Sequence, residues 1–211
     1  MLGGSEISEL KGCKVPQNSY DYSTRKGVHP ISWEDFHGIC KALALSVSNF
    51  QPEIILPIGR GGYYPGTLLA HLLQVEIYPV RVSRRINDVI KYNDPQWIIA
   101  PPAEVADRRI LIVDEICSSG ETIRLVKEKT EDLGASLIKS AVLYAHTWGA
   151  NVPDYIGIIT NALLLNPWDR EILQDGNFHF HPEYAEAMTH QNMEVESEML
   201  IRPNVIRLAK G

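Results

Sequence analysis

The sequence predicts an α/β fold: a parallel sheet flanked by helices on both faces. Three observations carry that expectation. Aliphatic runs recur at residues 53–58, 110–113 and 136–145, and such continuous runs fit strands buried on both faces. Segments with apolar residues at helical spacing lie between them. Two of the runs end in short loops of small residues, at 59–62 and 118–120. In sheets of this class, ligands sit at the carboxyl ends of the strands, where both loops fall.

Composition bounds the function. The 211 residues suit one domain with extensions. Hydrophobic residues make up 45%, enough for a sizeable core and too many for disorder throughout. A formal net charge of -6 argues against a general nucleic-acid binder. Cys13, Cys40 and Cys117 are far apart and lack metal-ligand spacing. They read as reduced thiols of a cytoplasmic protein. No apolar run is long enough for a membrane span, and the N-terminus lacks the pattern of a signal peptide. No internal repeat is found.

In chain order, residues 1–30 are mixed and polar and read as a partly ordered leader, with Tyr20 and Tyr22 available to dock it. Ser32 opens the first helix, with Asp35 at capping-box spacing. Trp33, Phe36, Ile39, Cys40, Leu43 and Val47 form its core face, and His37 is expected at the surface. The strand at 53–58 runs into Gly59-Arg60-Gly61-Gly62 and then a helix to Leu73. Glycines let a backbone approach a phosphate, and Arg60 offers a planar fork to receive it. A strand is expected at 75–82, then a polar stretch at 86–94, then a short strand at 97–100.

Residues 110–122 organise the chain. A buried strand ends in two adjacent acids, Asp114 and Glu115, followed by Ser118-Ser119-Gly120 and a helix over 121–133. The small loop and the helix start suit a phosphate. The acids suit ribose hydroxyls or a hydrated magnesium ion. Further strands are expected at 136–145, 154–159 and 162–165, and a helix over 184–200. His179 and His181 would share one side of a strand, a conceivable metal pair without further ligands at suitable spacing.

The strand, acid pair and loop together resemble the phosphoribosyl-diphosphate (PRPP) signature of type I phosphoribosyltransferases. Arg60-Gly61-Gly62 resembles that family's diphosphate loop. Pro153-Asp154-Tyr155 followed by Pro167-Trp168-Asp169 is similar to xanthine–guanine phosphoribosyltransferases and their relatives. The likeness covers residues 32–170. It implies a phosphoribosyltransferase domain at 31–170 with a small hood, between the leader and a C-terminal extension (171–211) of unknown role.

The resemblance also implies site roles. Asp114 and Glu115 would hold the ribose and act in catalysis, with His146. Ser118, Ser119, Gly120, Glu121 and Thr122 would cradle the 5-phosphate. Arg60, Gly61 and Gly62, with Arg84, Arg85 and Lys91 from a mobile flap, would meet the diphosphate. His146, Leu163, Leu165 and Trp168 would line the base pocket, Trp168 by packing beneath the hood. Glu115 and Asp169 would hold Mg2+. A homodimer is expected, acting on PRPP and a nucleobase.

Two positions depart from the family pattern. Ser118 stands where purine-salvage members carry an aspartate, and an unactivated serine is a poor general base. His146 stands where relatives with this hood place a lysine that meets the purine oxygen; histidine donates or accepts according to tautomer. The expected function is transfer of ribose 5-phosphate from PRPP to a 6-oxopurine-like base. The alternatives are a non-catalytic PRPP- or nucleotide-sensing module, and transfer to a non-purine acceptor.

Overall fold

The computed structural model describes residues 22, 24–86, 89–92, 95–196 and 199–201. Strand β1 (Val28–Pro30) leads into helix α1 (Trp33–Val47). Ser32 Oγ accepts from the Asp35 amide at 3.0 Å and Asp35 Oδ2 accepts from the Ser32 amide at 2.9 Å, the reciprocal box that the spacing predicts. Then come β2 (Ile54–Pro57), α2 (Tyr63–Leu73) and β3 (Glu76–Ile77). The strands β4 (Arg81–Ser83), β5 (Arg85–Ile86), β6 (Val89–Ile90) and β7 (Gln96–Ile99) form an antiparallel arm, β4 pairing with β7 and β5 with β6. After it run β8 (Arg109–Cys117), α3 (Glu121–Asp132), β9 (Leu137–Ala145), β10 (Tyr155–Ile159) and β11 (Leu163–Leu165). The described chain closes with β12 (Glu171–Gln174), β13 (Asn177–Phe180) and α4 (Pro182–His190).

The central sheet is five-stranded and parallel, in the order β10-β9-β8-β2-β3. Alternate side chains serve opposite faces. Ile55, Leu111, Val113, Ala141 and Leu143 pack with Phe36, Cys40, Leu43 and Leu69 of α1 and α2. Ile54, Leu56, Ile110, Ile112 and Val142 pack with Ile123 and Val126 of α3. That two-sided burial explains the unbroken aliphatic runs.

Three expectations are revised. The single strand at 75–82 is two, β3 and β4: the Tyr78 and Val80 amides still donate to the Ile55 and Pro57 carbonyls of β2, and the chain then leaves the central sheet to pair β4 with β7. The acid pair lies within β8 rather than after it, since pairing with β9 continues to Cys117↔Ala145. The helix over 184–200 is shorter: α4 starts at Pro182 and stops at His190, and Asn192 turns left-handed at φ 55.

The C-terminal extension is not an appendage. β12 and β13 form a hairpin around Asp175-Gly176, at φ 50 and 78, the conformation such a pair favours. Leu163, Leu165, Tyr184, Ala187, Met188 and Met199 share a third core, joined by Tyr22 and Val28. β1 pairs in parallel with β11 beside it. The 7%-exposed Arg170 ties this hood together, donating to the carbonyls of Ile31, Leu165 and Met199. Tyr22 thus docks the end of the leader, its ring 6.1 Å from that of Tyr184; residues 1–21, with Cys13 and Tyr20, lie outside the described residues. Among the described residues, no helix is long and apolar enough to cross a membrane.

Candidate functional site

Two loops meet because their strands do. β2 and β8 are adjacent and parallel, with Pro57 opposite Val113, so the turns beyond their carboxyl ends are neighbours. The contact is close. A Cβ built on Gly61 would lie 1.8 Å from Glu115 Oε2, and one on Gly62 would lie 2.5 Å from the Ile58 carbonyl and 2.7 Å from that of Val113. Only glycine lets this turn settle against the acid pair. The Gly59–Arg60 peptide is cis, and Arg60 is exposed at the lip of the turn.

The acids are half-buried and crowded. Removal from water pushes Asp114 up to about 7, opposed by the Glu115 amide that donates to its Oδ1 at 2.8 Å. Glu115 is pushed up to about 8 by burial and by the negative charges of Asp169 and Asp114. Asn166 Nδ2 donates to Glu115 Oε1, opposing that rise. The Tyr144 hydroxyl donates to Asn166 Oδ1 at 3.0 Å. Both are buried, at 0% and 2% exposure. Burial pushes the Tyr144 phenol up, so it remains a donor. On the far side, the Tyr184 hydroxyl donates to Asp169 Oδ2 at 2.6 Å. Sequence reasoning assigned no side-chain role to Asn166, Tyr144 or Tyr184. The position of Asn166, three residues before Asp169, was the one available signal for the first.

The small loop after β8 is also held tightly. Gly120 caps α3 at φ 78, and a Cβ there would lie 2.7 Å from Val152. Gly149 lies against the Ser118 carbonyl, which its Cβ would meet at 1.9 Å. Gly120, the N-cap of α3, has no side chain to offer its first turn. Ser119 Oγ is 3.4 Å from the Glu121 amide, and Arg124 Nη1 donates to the Ser119 carbonyl at 3.0 Å. Ser119 and Glu121 are exposed, Ser118 and Thr122 half-buried.

His146 is fully buried at the end of β9. Its Nδ1 lies 2.7 Å from the Thr160 carbonyl. A carbonyl only accepts, so Nδ1 carries the proton. Burial and Arg25 lower the histidine pKa, which favours the neutral ring, while the Thr160 bond opposes the shift. Nε2 then offers a lone pair, and it has no partner among the described residues. Trp148, half exposed, stacks on the ring at 4.7 Å, with Arg25 5.4 Å above the indole.

Other expected site residues fall elsewhere. The side chains of Leu163 and Leu165 fill the hood core, at 2% and 0% exposure, so only their backbone is left to face a base. Trp168 stacks on Tyr64 at 4.4 Å and meets Phe36 edge-on at 5.0 Å. It lies beneath the hood, against α1 and α2. Arg84 and Lys91 are exposed on the arm, where the Lys91 amide donates to the Arg84 carbonyl at 2.8 Å. The Arg85 side chain lies outside the described residues. His181 caps α4 by accepting from the Glu183 amide at 3.3 Å, which removes it from any pairing with His179.

Asp114, Glu115 and Asp169 supply hard oxygen donors. Among the described residues no group of three or more His, Cys, Asp or Glu could cage an ion. Hard oxygen donors of this kind are what a hydrated magnesium ion takes from a protein, one or two carboxylates at a time.

Comparison with known proteins agrees with this geometry. Residues 32–169 match the family described as the phosphoribosyl transferase domain. The chain is 26% identical over 128 residues to the hypoxanthine-guanine phosphoribosyltransferase of Saccharomyces cerevisiae, covering 52% of this chain and 58% of that protein. It is 26% identical over 155 residues to a xanthine-guanine phosphoribosyltransferase of Nitratidesulfovibrio vulgaris, covering 69% and 86%. The solved purine phosphoribosyltransferase of Pyrococcus horikoshii is 28% identical, with a TM-score of 0.61 over 67% of this chain and 93% of its own. A parallel sheet with the acid pair and glycine turn at its carboxyl edge, and a family match across most of its length, mean that this chain belongs to the phosphoribosyl transferase domain family.

Proposed function

We propose that the protein is a Mg2+-dependent glycosyltransferase of the pentosyl class, moving ribose 5-phosphate from PRPP to a nitrogen of a purine base and releasing diphosphate. The observation that supports this reading is the seating of Gly61 against Glu115, the turn read as the diphosphate loop lying beside the acids read as ribose ligands. Asp114 and Glu115 hold the ribose hydroxyls. The loop of Ser118, Ser119, Gly120, Glu121 and Thr122 receives the 5-phosphate with the amides of the α3 start. Arg60 and the turn face the diphosphate, joined by Arg84, Arg85 and Lys91 when the arm closes. Bound magnesium would neutralise the departing diphosphate, held from Glu115 and Asp169.

The base side differs from the relatives. With Nδ1 bound to Thr160, His146 presents an acceptor where the relatives' lysine presents a donor. This favours a base edge carrying an amino or ring N–H over a carbonyl, once Trp148 moves off the ring. His146 Nε2 is also the group available to take the proton of the attacking nitrogen. The cytoplasm is the proposed location, in keeping with the free thiols of Cys40 and Cys117. A homodimer is part of the same reading, supported by the exposed Trp33, Tyr64 and Leu72 on α1 and α2.

The test is diphosphate release from PRPP and magnesium with a panel of purine and non-purine bases. Turnover with any purine supports the proposal, and turnover confined to non-purines redirects it to another acceptor. The enclosed His146 Nε2 and the serine at Ser118 favour a second reading, a PRPP- or nucleotide-sensing module. Tight PRPP binding without turnover on any base would establish that one instead.

A further inference from the structure

The family match ends at residue 169, yet the hydrogen bonds that hold its acids do not. Helix α4 lies beyond that boundary and is packed into the hood through Tyr184, Ala187 and Met188, which are 8%, 1% and 0% exposed. The Tyr184 ring is fixed between Tyr22, at 6.1 Å, and His181, at 5.2 Å. Its hydroxyl emerges from that core to bond Asp169 Oδ2 at 2.6 Å. Burial and the Asp169 charge keep the phenol protonated, so it remains the donor. Asp169 needs such an anchor. It lies close enough to Glu115 for their charges to repel, and an unheld carboxylate would swing towards solvent. Glu115 has its own anchor in Asn166, itself held by Tyr144. Two neighbouring acids are thus each pinned by a neutral donor, one from within the matched region and one from outside it.

We infer that Tyr184, supplied by the C-terminal extension, is a positioning residue of the transfer site, holding the Asp169 carboxylate beside Glu115 for PRPP and its magnesium. The inference rests on the proposed transfer reaction for its substrate but not for its geometry. A phenol–carboxylate bond is charge-assisted, and a ring locked in a core loses little further entropy in making it. The extension is therefore a working part of the site, and its sequence is expected to matter to PRPP binding.

The experiment is a double-mutant cycle on the full chain with Tyr184→Phe and Asp169→Asn, reading kcat and KM for PRPP at fixed magnesium. Phe keeps the ring in its core and removes only the hydroxyl. Tyr184→Phe is expected to lower kcat/KM about tenfold, the scale of a lost hydrogen bond to a charged group, with most of the change in KM for PRPP. In the Asp169→Asn background, where the acceptor is neutral, the same change should cost clearly less. Equal losses in both backgrounds would mean that Tyr184 acts through packing alone, and no loss in the native background would remove the role; either overturns the inference while leaving the transfer reaction standing. If the native protein turns over no base, the transfer reading fails, and calorimetric PRPP affinity with magnesium decides the inference. Weaker binding in Tyr184→Phe sustains it; equal binding, or none to the native protein, overturns it.

Discussion

Single side chains in this cleft work under electrostatic crowding. Glu115 is held up at about 8 against an ordinary 4.5, so the folded, ligand-free protein binds its proton more readily than the unfolded chain. The stability from this group is full below about 4.5 and is lost as pH rises towards about 8. Glu115→Gln removes that loss. The variant is expected to melt above the native protein at about pH 8, the gap closing as the pH falls to about 5. Each 1 kcal/mol reads as roughly 2–4 °C in a chain of this size. A gap that widens towards acid would contradict the assignment. Gly61 gives a second test. Gly61→Ala puts a methyl group 1.8 Å from Glu115 Oε2 and must displace the acid or the turn. A shift of about 1 Å costs on the order of 10²-fold in rate, measured as kcat/KM for PRPP. Gly38→Ala in α1 meets nothing within 4 Å. It should instead add about 0.5–1 kcal/mol of stability without changing turnover.

Elements differ in how openly the sequence announces them. β2, β8 and β9 were legible as aliphatic runs because burial on both faces leaves few polar positions, Lys139 and Ser140 in β9 among them. The α1 start was legible because a capping box is written within four residues. The β12–β13 hairpin carried a readable Asp175-Gly176 signal, yet its strands alternate weakly and stay largely open to solvent. Arg170 was opaque: nothing local shows that a charged residue after Pro-Trp-Asp turns inward to three carbonyls. Arg170→Ala would strand the Ile31 and Met199 carbonyls, while that of Leu165 keeps the Ile31 amide. The expected cost is about 3 kcal/mol, seen as a fall of roughly 6–12 °C in the melting midpoint. An unchanged midpoint would show that these contacts contribute nothing net.

The whole molecule is more than its family match. Residues 32–169 hold the sheet, both loops and the acid pair, but Leu163 and Leu165 are covered by α4 and Met199. A chain ending at Asp169 would expose that apolar surface and free the Asp169 carboxylate from Tyr184. It is expected to be insoluble or aggregated on expression, as read by size-exclusion chromatography and thermal melts. A soluble, monodisperse product with a cooperative transition would show that the hood core is dispensable.

The sequence by itself determined the parallel α/β class, the aliphatic strands β2, β8 and β9, the glycine turn, the acid pair and the loop after it. These are local patterns: period, residue size and adjacency, each contained in a dozen residues or fewer. Only the tertiary structure decided how the site is held. Asn166 reaches Glu115 across 51 residues of chain. Tyr184 reaches Asp169 from a helix outside the family match, and Thr160 fixes the proton of His146. Leu163 and Leu165 turn into the hood because α4 gives them a core to fill. Hydrogen-bond partnership and side-chain facing depend on which distant segments meet, and no single stretch of the chain carries that information.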